Sequence, residues 1–160
     1  MADDAADPST SGRSATAAED AALQEALAAA HTSVWGHGVV GAALPPDARE
    51  PVVAGERAHR DLRDQVAALL TSRGVDPVAA QAAYTLPFPV RSAVDAASLA
   101  VTLEEGSSRA WTWVLDRATE RSTRELGVTA LTAAELRAVP WRAAAGRTPV
   151  TTAFPGLPAT

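Results

Sequence analysis

Glu56-Arg57-Ala58-His59 sets a carboxylate and an imidazole three residues apart within Asp47 to Arg73, a segment rich in helix formers. On a helix, residues i and i+3 share one face. Such a pair is half of what a dinuclear carboxylate centre in a four-helix bundle requires. The full centre repeats the pair and adds one Glu from each of two further helices. The pair occurs once here, so it points to an architecture more firmly than to a reaction.

Helical spacing supplies the other candidate ligands. Val52, Glu56, His59, Leu62, Val66 and Leu69 fall on one face, which sets Glu56 and His59 on a buried stripe. Glu104 lies with Ala100, Ser107, Trp111 and Val114 on the apolar face of a later helix, and His31 lies with Leu27 and Val34 on an earlier one. His37 is six residues beyond His31, about 240° around a helix, so both cannot face one centre. His37 is therefore expected at a helix–helix seam or in solvent. The candidate metal set is His31, Glu56, His59 and Glu104. Two imidazoles and two carboxylates suffice for one Fe, Mn or Zn ion but not for a dinuclear centre. The alternative from the same residues is a metal-free core cluster. In it Glu56 pairs with Arg109 or Arg137, and His59 hydrogen-bonds Glu104.

Four helices must position these groups, over Ala17–Leu44, Asp47–Arg73, Ser92–Ala118 and Ser122–Ala145. Pro45-Pro46 stops the first, and Gly74 ends the second. Gly36, Gly38 and Gly41 weaken the first helix and imply close approach of a neighbour. Ser92-Ala93-Val94-Asp95 and Ser122-Thr123-Arg124-Glu125 have the form of capping boxes. Pro140 is expected to kink or divide the fourth helix. Between the second and third helices, Pro77 opens a short helix to Ala83, and Leu86-Pro87-Phe88-Pro89-Val90 forms an apolar strap with Phe88 buried. Phe154 and Leu157 are expected to pin the C-terminal segment to the bundle. Trp111 and Trp113 are two apart, so at most one faces inward. The fold class is all-α, a four-helix bundle with one long Pro-containing crossover. Residues 1–16 read as a disordered acidic tail and 17–160 as the bundle with its C-terminal strap.

Composition narrows the function classes. A net charge of −5 argues against a nucleic-acid partner. No cysteine is present, which removes disulfides and thiol chemistry. No apolar run is long enough for a membrane span, and no basic–apolar leader opens the chain, so a cytoplasmic protein is expected. No nucleophile elbow, phosphate loop or dinucleotide fingerprint is present.

Leu27 to Gly41 (LAAAHTSVWGHGVVG), Gly55 to Arg60, Tyr84 to Val90 (YTLPFPV), Leu103-Glu104-Glu105, Trp141-Arg142 and Ala153 to Pro158 (AFPGLP) resemble the ferritin-like domain family of unknown function common in actinobacteria. The resemblance covers nearly everything from about Ala22 onward. It implies a ferritin-like four-helix bundle and no established activity. It also implies a Glu directly before the first-helix histidine, where this chain has Ala30 before His31. Glu135 on the fourth helix is followed at the third position by Ala138, not His. The expected function is therefore a scaffold or interaction module with a degenerate metal site and no cofactor. The alternative is a metal-binding protein or oxidoreductase using a mononuclear or partial dinuclear carboxylate–histidine site. Whether the chain is an enzyme stays open. A third expectation is a small-ligand binder, marked by an apolar pocket lined by Trp35 or Trp111. A homodimer would form through Trp-bearing helix faces.

Overall fold

The computed structural model describes residues 8–157 and is helical, with no strand among them. Helix α1 spans Pro8–Ala42, α2 Glu50–Ser72, α3 Ala93–Arg117 and α4 Arg121–Ala144, with a 3-10 turn at Pro46–Ala48. This is the expected all-α four-helix bundle. Helix α1 starts well before Ala17, so residues 8–16, expected in a disordered tail, continue the helix; residues 1–7 lie outside the described residues.

Side-chain pairings fix the directions of the helices. Gly41 meets Val52, and Glu19 meets Arg73, so α1 and α2 are antiparallel. Gly36 meets Leu103, and Glu19 meets Thr119, so α3 is also antiparallel to α1. Glu104 meets Arg137, and Leu115 meets Gly127, which makes α4 antiparallel to α3. Helices α2 and α3 thus run parallel, and the chain between them must travel the length of the bundle, about 35 Å for the 23 residues of α2. Residues 73–92 make that journey without regular structure, and the short helix expected from Pro77 does not form. Gln24 holds the backbone there, donating to the Asp76 carbonyl and accepting from the Val78 N–H at 2.7 Å each. The Asp76 carbonyl and the Val78 N–H are thereby committed to a side chain of α1 rather than to a helical turn. Leu86, Phe88 and Val90 pack against the core, so the strap crosses the bundle, with Phe88 half-buried where it was expected buried.

Local signals explain most helix ends. The Ser92 hydroxyl accepts from the Asp95 N–H at 3.1 Å, and the Asp95 carboxylate accepts from the Arg91 N–H at 3.0 Å. The second capping box is not used. Helix α4 begins at Arg121, which puts Ser122 inside the first turn. The turn leading into the helix is held from α1 instead. Glu19, fully buried, accepts from the N–H groups of Thr119 and Glu120 and from the Thr119 and Thr123 hydroxyls. Arg73 closes the same cluster at 2.7 Å. These donors outweigh the upward push of burial and hold the Glu19 carboxyl down to about 2. Helix α4 runs unbroken through Pro140, so no division occurs there.

The C-terminal segment is fixed differently from expectation. Phe154 and Leu157 are 68% and 55% exposed and pin nothing. Phe154-Pro155-Gly156-Leu157 is a turn closed by Leu157 N–H on the Phe154 carbonyl, with Gly156 at φ 77°. The Thr112 hydroxyl donates to the Pro155 carbonyl, and Gly156 lies so close to α3 that a Cβ would meet the Ser108 carbonyl oxygen at 2.6 Å.

Candidate functional site

The core is divided. One apolar cluster holds Val40, Leu44, Val52, Leu99, Leu103 and Trp141; the other holds Leu23, Leu27, Val66, Leu70, Trp111 and Val114. Between them lies a polar layer to which every helix contributes. Helix α1 supplies Ser33 and His37, α2 His59, α3 Glu104, and α4 Arg137. His37, His59 and Glu104 are fully buried, and each offers a ligand atom within 4.8 Å of the others.

Glu104 is the hub. His59 Nε2–H donates to its Oε1 at 3.0 Å. Arg137 donates from Nε to Oε1 and from a terminal nitrogen to Oε2, each at 3.0 Å. Burial, the largest influence, pushes the Glu104 carboxyl up; the His59 hydrogen bond and the Arg137 guanidinium outweigh it and hold it below the usual carboxylate range. His37 sits against His59, ring centroids 5.2 Å apart. Its Nδ1 lies 2.8 Å from the Ser33 carbonyl, which can only accept, so Nδ1 carries a proton. In the neutral ring, Nε2 then presents a lone pair. That atom has no hydrogen-bond partner and lies 3.9 Å from Glu104 Oε1. Burial and the neighbouring His59 push the His37 imidazole below its usual value. Gly55 makes room for this ring, since a Cβ there would stand 2.6 Å from Nε2.

Of the four expected ligands, His59 and Glu104 meet in this layer. Glu56 does not; it turns outward and pairs with Arg60 one turn along α2. His31 does not either; its Nε2 lies 3.1 Å from the Val78 carbonyl and tethers the crossover to α1. The helix-one imidazole in the layer is His37, expected instead at a helix–helix seam or in solvent. The expected His59–Glu104 hydrogen bond is present, and Arg137 pairs with Glu104 rather than with Glu56. Ala30 is two turns before His37 on the same face, about 10 Å along the axis, so it is not where a missing first-helix carboxylate would stand. Among the described residues Glu104 is the single carboxylate in the cluster that could hold a metal ion. Glu135 accepts instead from the Ser108 hydroxyl and from buried Arg142.

The match to a known family is now decided by extent: residues 22–159 match the model described as a domain of unknown function (DUF4439). The chain belongs to that family. It is also similar to a solved structure, the crystal structure of a conserved hypothetical protein, rv2844, from Mycobacterium tuberculosis. The two share 39% identity with a TM-score of 0.77, over 79% of this chain and 96% of that one. No curated protein matches the chain. The family thus carries the architecture with no activity attached. No described helix is long and apolar enough to cross a membrane.

Proposed function

We propose that the protein is a ferritin-like bundle whose metal centre has degenerated into a metal-independent His–Glu–Arg layer, and that it serves as a non-catalytic scaffold or interaction module. The carrying observation is Arg137, which donates to both oxygens of Glu104. A dinuclear centre needs four carboxylates facing inward, and the layer holds one. A buried carboxylate needs a counter-charge, and here a guanidinium fixed to α4 supplies it. A divalent ion beside Glu104 would have to displace that cation or stand against it.

A single-ion site is the second reading, favoured by the unpartnered Nε2 of His37 and the space at Gly55. His37, His59 and Glu104 would hold such an ion as two imidazoles and one carboxylate, a set suited to Fe, Mn or Zn. An ion there would supply Lewis-acid or redox chemistry.

Metal analysis of protein purified without chelators separates the two, read with melting temperatures in added Fe, Mn and Zn. The degenerate centre predicts no stoichiometric metal and no rise in melting temperature. A stoichiometric ion lost in His37→Ala, or a clear rise at saturating metal, would overturn the proposal and establish the second reading.

A further inference from the structure

A cleft of about 650 Å³ runs along the outer seam of α1 and α3, away from the polar layer. That volume lies within the range of small-molecule sites. Its floor is small, with Ala28 and Ala29 of α1 facing Gly106 and Ala110 of α3. One wall is the crossover, through Val78, Gln81 and Tyr84. That wall is held in place by Gln24 at both Asp76 and Val78 and by His31 at Val78. Tyr84 is fixed in turn, its hydroxyl accepting from the Gln81 N–H at 3.0 Å and its ring 5.4 Å from Trp35. Trp113 borders the opposite side, 44% exposed, with Arg117 over its ring at 4.2 Å.

Arg109 decides what such a cleft would take. It lines this cleft and also an adjoining one of about 330 Å³ that reaches Trp35. Its natural i−4 partner, Glu105, is engaged by Arg142 at 3.4 Å and Arg147 at 3.2 Å. Arg109 makes no ion pair or hydrogen bond among the described residues. A guanidinium beside aromatic rings presents a planar fork suited to a carboxylate. Glu25 lines the same cleft. With α1 and α3 antiparallel and Gly36 level with Leu103, Glu25 stands about five residues of helix rise from Arg109, roughly 7 Å. A second anionic group at that end is disfavoured, and a hydrogen-bond donor is favoured.

We propose that this cleft binds a small planar aromatic carboxylate, its acid on Arg109, its ring beside Trp113, and a donor group toward Glu25. Charge complementarity at Arg109 selects this occupant over a neutral apolar one. The proposal is independent of the state of the His–Glu–Arg layer, since no residue of that layer lines the cleft.

The four indole N–H signals of the full chain provide the assay. Trp35 and Trp113 border the cleft system, whereas Trp111 and Trp141 belong to the two buried cores. Titration with millimolar 4-hydroxybenzoate should shift the Trp113 and Trp35 signals and leave those of Trp111 and Trp141 in place. Arg109→Gln should weaken binding roughly ten- to a hundredfold, the range for one charge-assisted hydrogen bond. Arg109 is exposed, so this variant is expected to fold. Glu25→Gln should retain the acid but reduce the preference for 4-hydroxybenzoate over benzoate. No shift at millimolar acid would overturn the proposal. So would equal binding of 4-hydroxybenzamide, or equal binding by Arg109→Gln. A concentration-dependent dimer that broadens both exposed indole signals and ignores the acid would overturn it in favour of a second copy of this chain.

Discussion

Replacing Arg137 by Met removes the guanidinium that neutralises Glu104 while keeping an unbranched side chain in its place. Breaking a buried pair from one side costs about 3–5 kcal/mol, because the remaining charge stays buried. Arg137 is 23% exposed and Glu104 is not exposed at all. Water therefore screens part of the pair, and His59 still donates to Glu104, so the cost falls at or below the bottom of that range, about 2–3 kcal/mol. For a domain of this size that corresponds to roughly 5–10 °C in melting temperature. Urea denaturation followed by far-UV circular dichroism at alkaline pH is the direct measurement.

The cost should also depend on pH. The charge of Arg137 helps keep the His37 imidazole below its usual value, while Glu104 acts in the opposite sense. Without Arg137 the folded His37 binds a proton more readily and can take over as counter-ion. A base bound more readily by protons in the folded variant than in the folded wild type offsets part of the variant's loss at low pH, and that offset is lost as pH rises. The deficit of Arg137→Met should therefore be largest at alkaline pH and shrink as acid protonates His37 in the variant before it does so in the wild type. A deficit below about 0.5 kcal/mol at alkaline pH, within the scatter of ordinary surface changes, would refute the counter-ion role. An undiminished deficit in a Glu104→Gln background would refute it equally, because the pair would then be uncoupled.

Glu19→Gln should cost about 3 kcal/mol at neutral pH, from a carboxyl lowered from 4.5 to about 2 at 1.36 kcal/mol per unit. A depressed acid contributes stability above its unfolded value and loses it as pH falls through the folded one. The gap from wild type should thus close between about pH 4.5 and 2; acid titration of both proteins tests it, and a constant gap would show that shape rather than charge is lost. Gly55→Ala gains about 1 kcal/mol in helix propensity. Its Cβ would nevertheless meet His37 Nε2 at 2.6 Å, so a net loss of about 1–2 kcal/mol is expected from overpacking. The His37 ring signals should move in the same variant, and a more stable protein with an unmoved ring would contradict the packing.

The helices were legible because their signals are local. Pro45-Pro46, Gly74 and Ser92 act on their own neighbours, and the crossover announced itself through Pro77, Pro87 and Pro89. The polar layer was only half legible, because periodicity was read from apolar residues. Helix α1 buries Leu23, Ala26, Ala30, Ser33, His37 and Val40, and Leu44 just beyond it is buried too. A pattern that seeks apolar side chains passes from Ala30 to Val34 and Gly38, and so rotates His31 inward and His37 outward. Gly38 meets nothing, whereas Gly36 lies against Leu103. A stricter seven-residue repeat over Leu23, Ala30, His37 and Leu44 is the signal that would have found His37, since bundle seams follow that period. Glu56 was placed inward by the same stripe, yet Arg60 one turn on offers it a partner in water. No spacing rule gives Arg137, because its partner is on another helix. The unused capping box at Ser122 failed for the same reason, since Glu19 of α1 binds the Thr119 and Glu120 N–H groups and the Thr123 hydroxyl and so fixes where α4 begins.

A layer of buried charge can persist for either of two physical reasons, and multiple replacement distinguishes them. If Glu104 and Arg137 merely neutralise one another, the layer contributes little net stability, since both groups were better solvated in water. Replacing a buried ionic cluster by apolar residues of similar volume is then neutral or stabilising by about 1–4 kcal/mol. His37→Leu, His59→Leu, Glu104→Met and Arg137→Met together would join the two apolar cores, which already flank the layer on α1, α2 and α3. The expected pattern is non-additive, with Arg137→Met alone destabilising and the fourfold variant at least as stable as wild type. The other possibility is that the layer sets how the helices register, each being held at one level by a hydrogen bond to Glu104 or, for α1, by the fit of His37 against Gly55. The fourfold variant would then melt below Arg137→Met and show broadened indole signals for Trp111 and Trp141, the largest buried rings of the two cores. That outcome would make the layer a determinant of packing rather than a neutralised remnant.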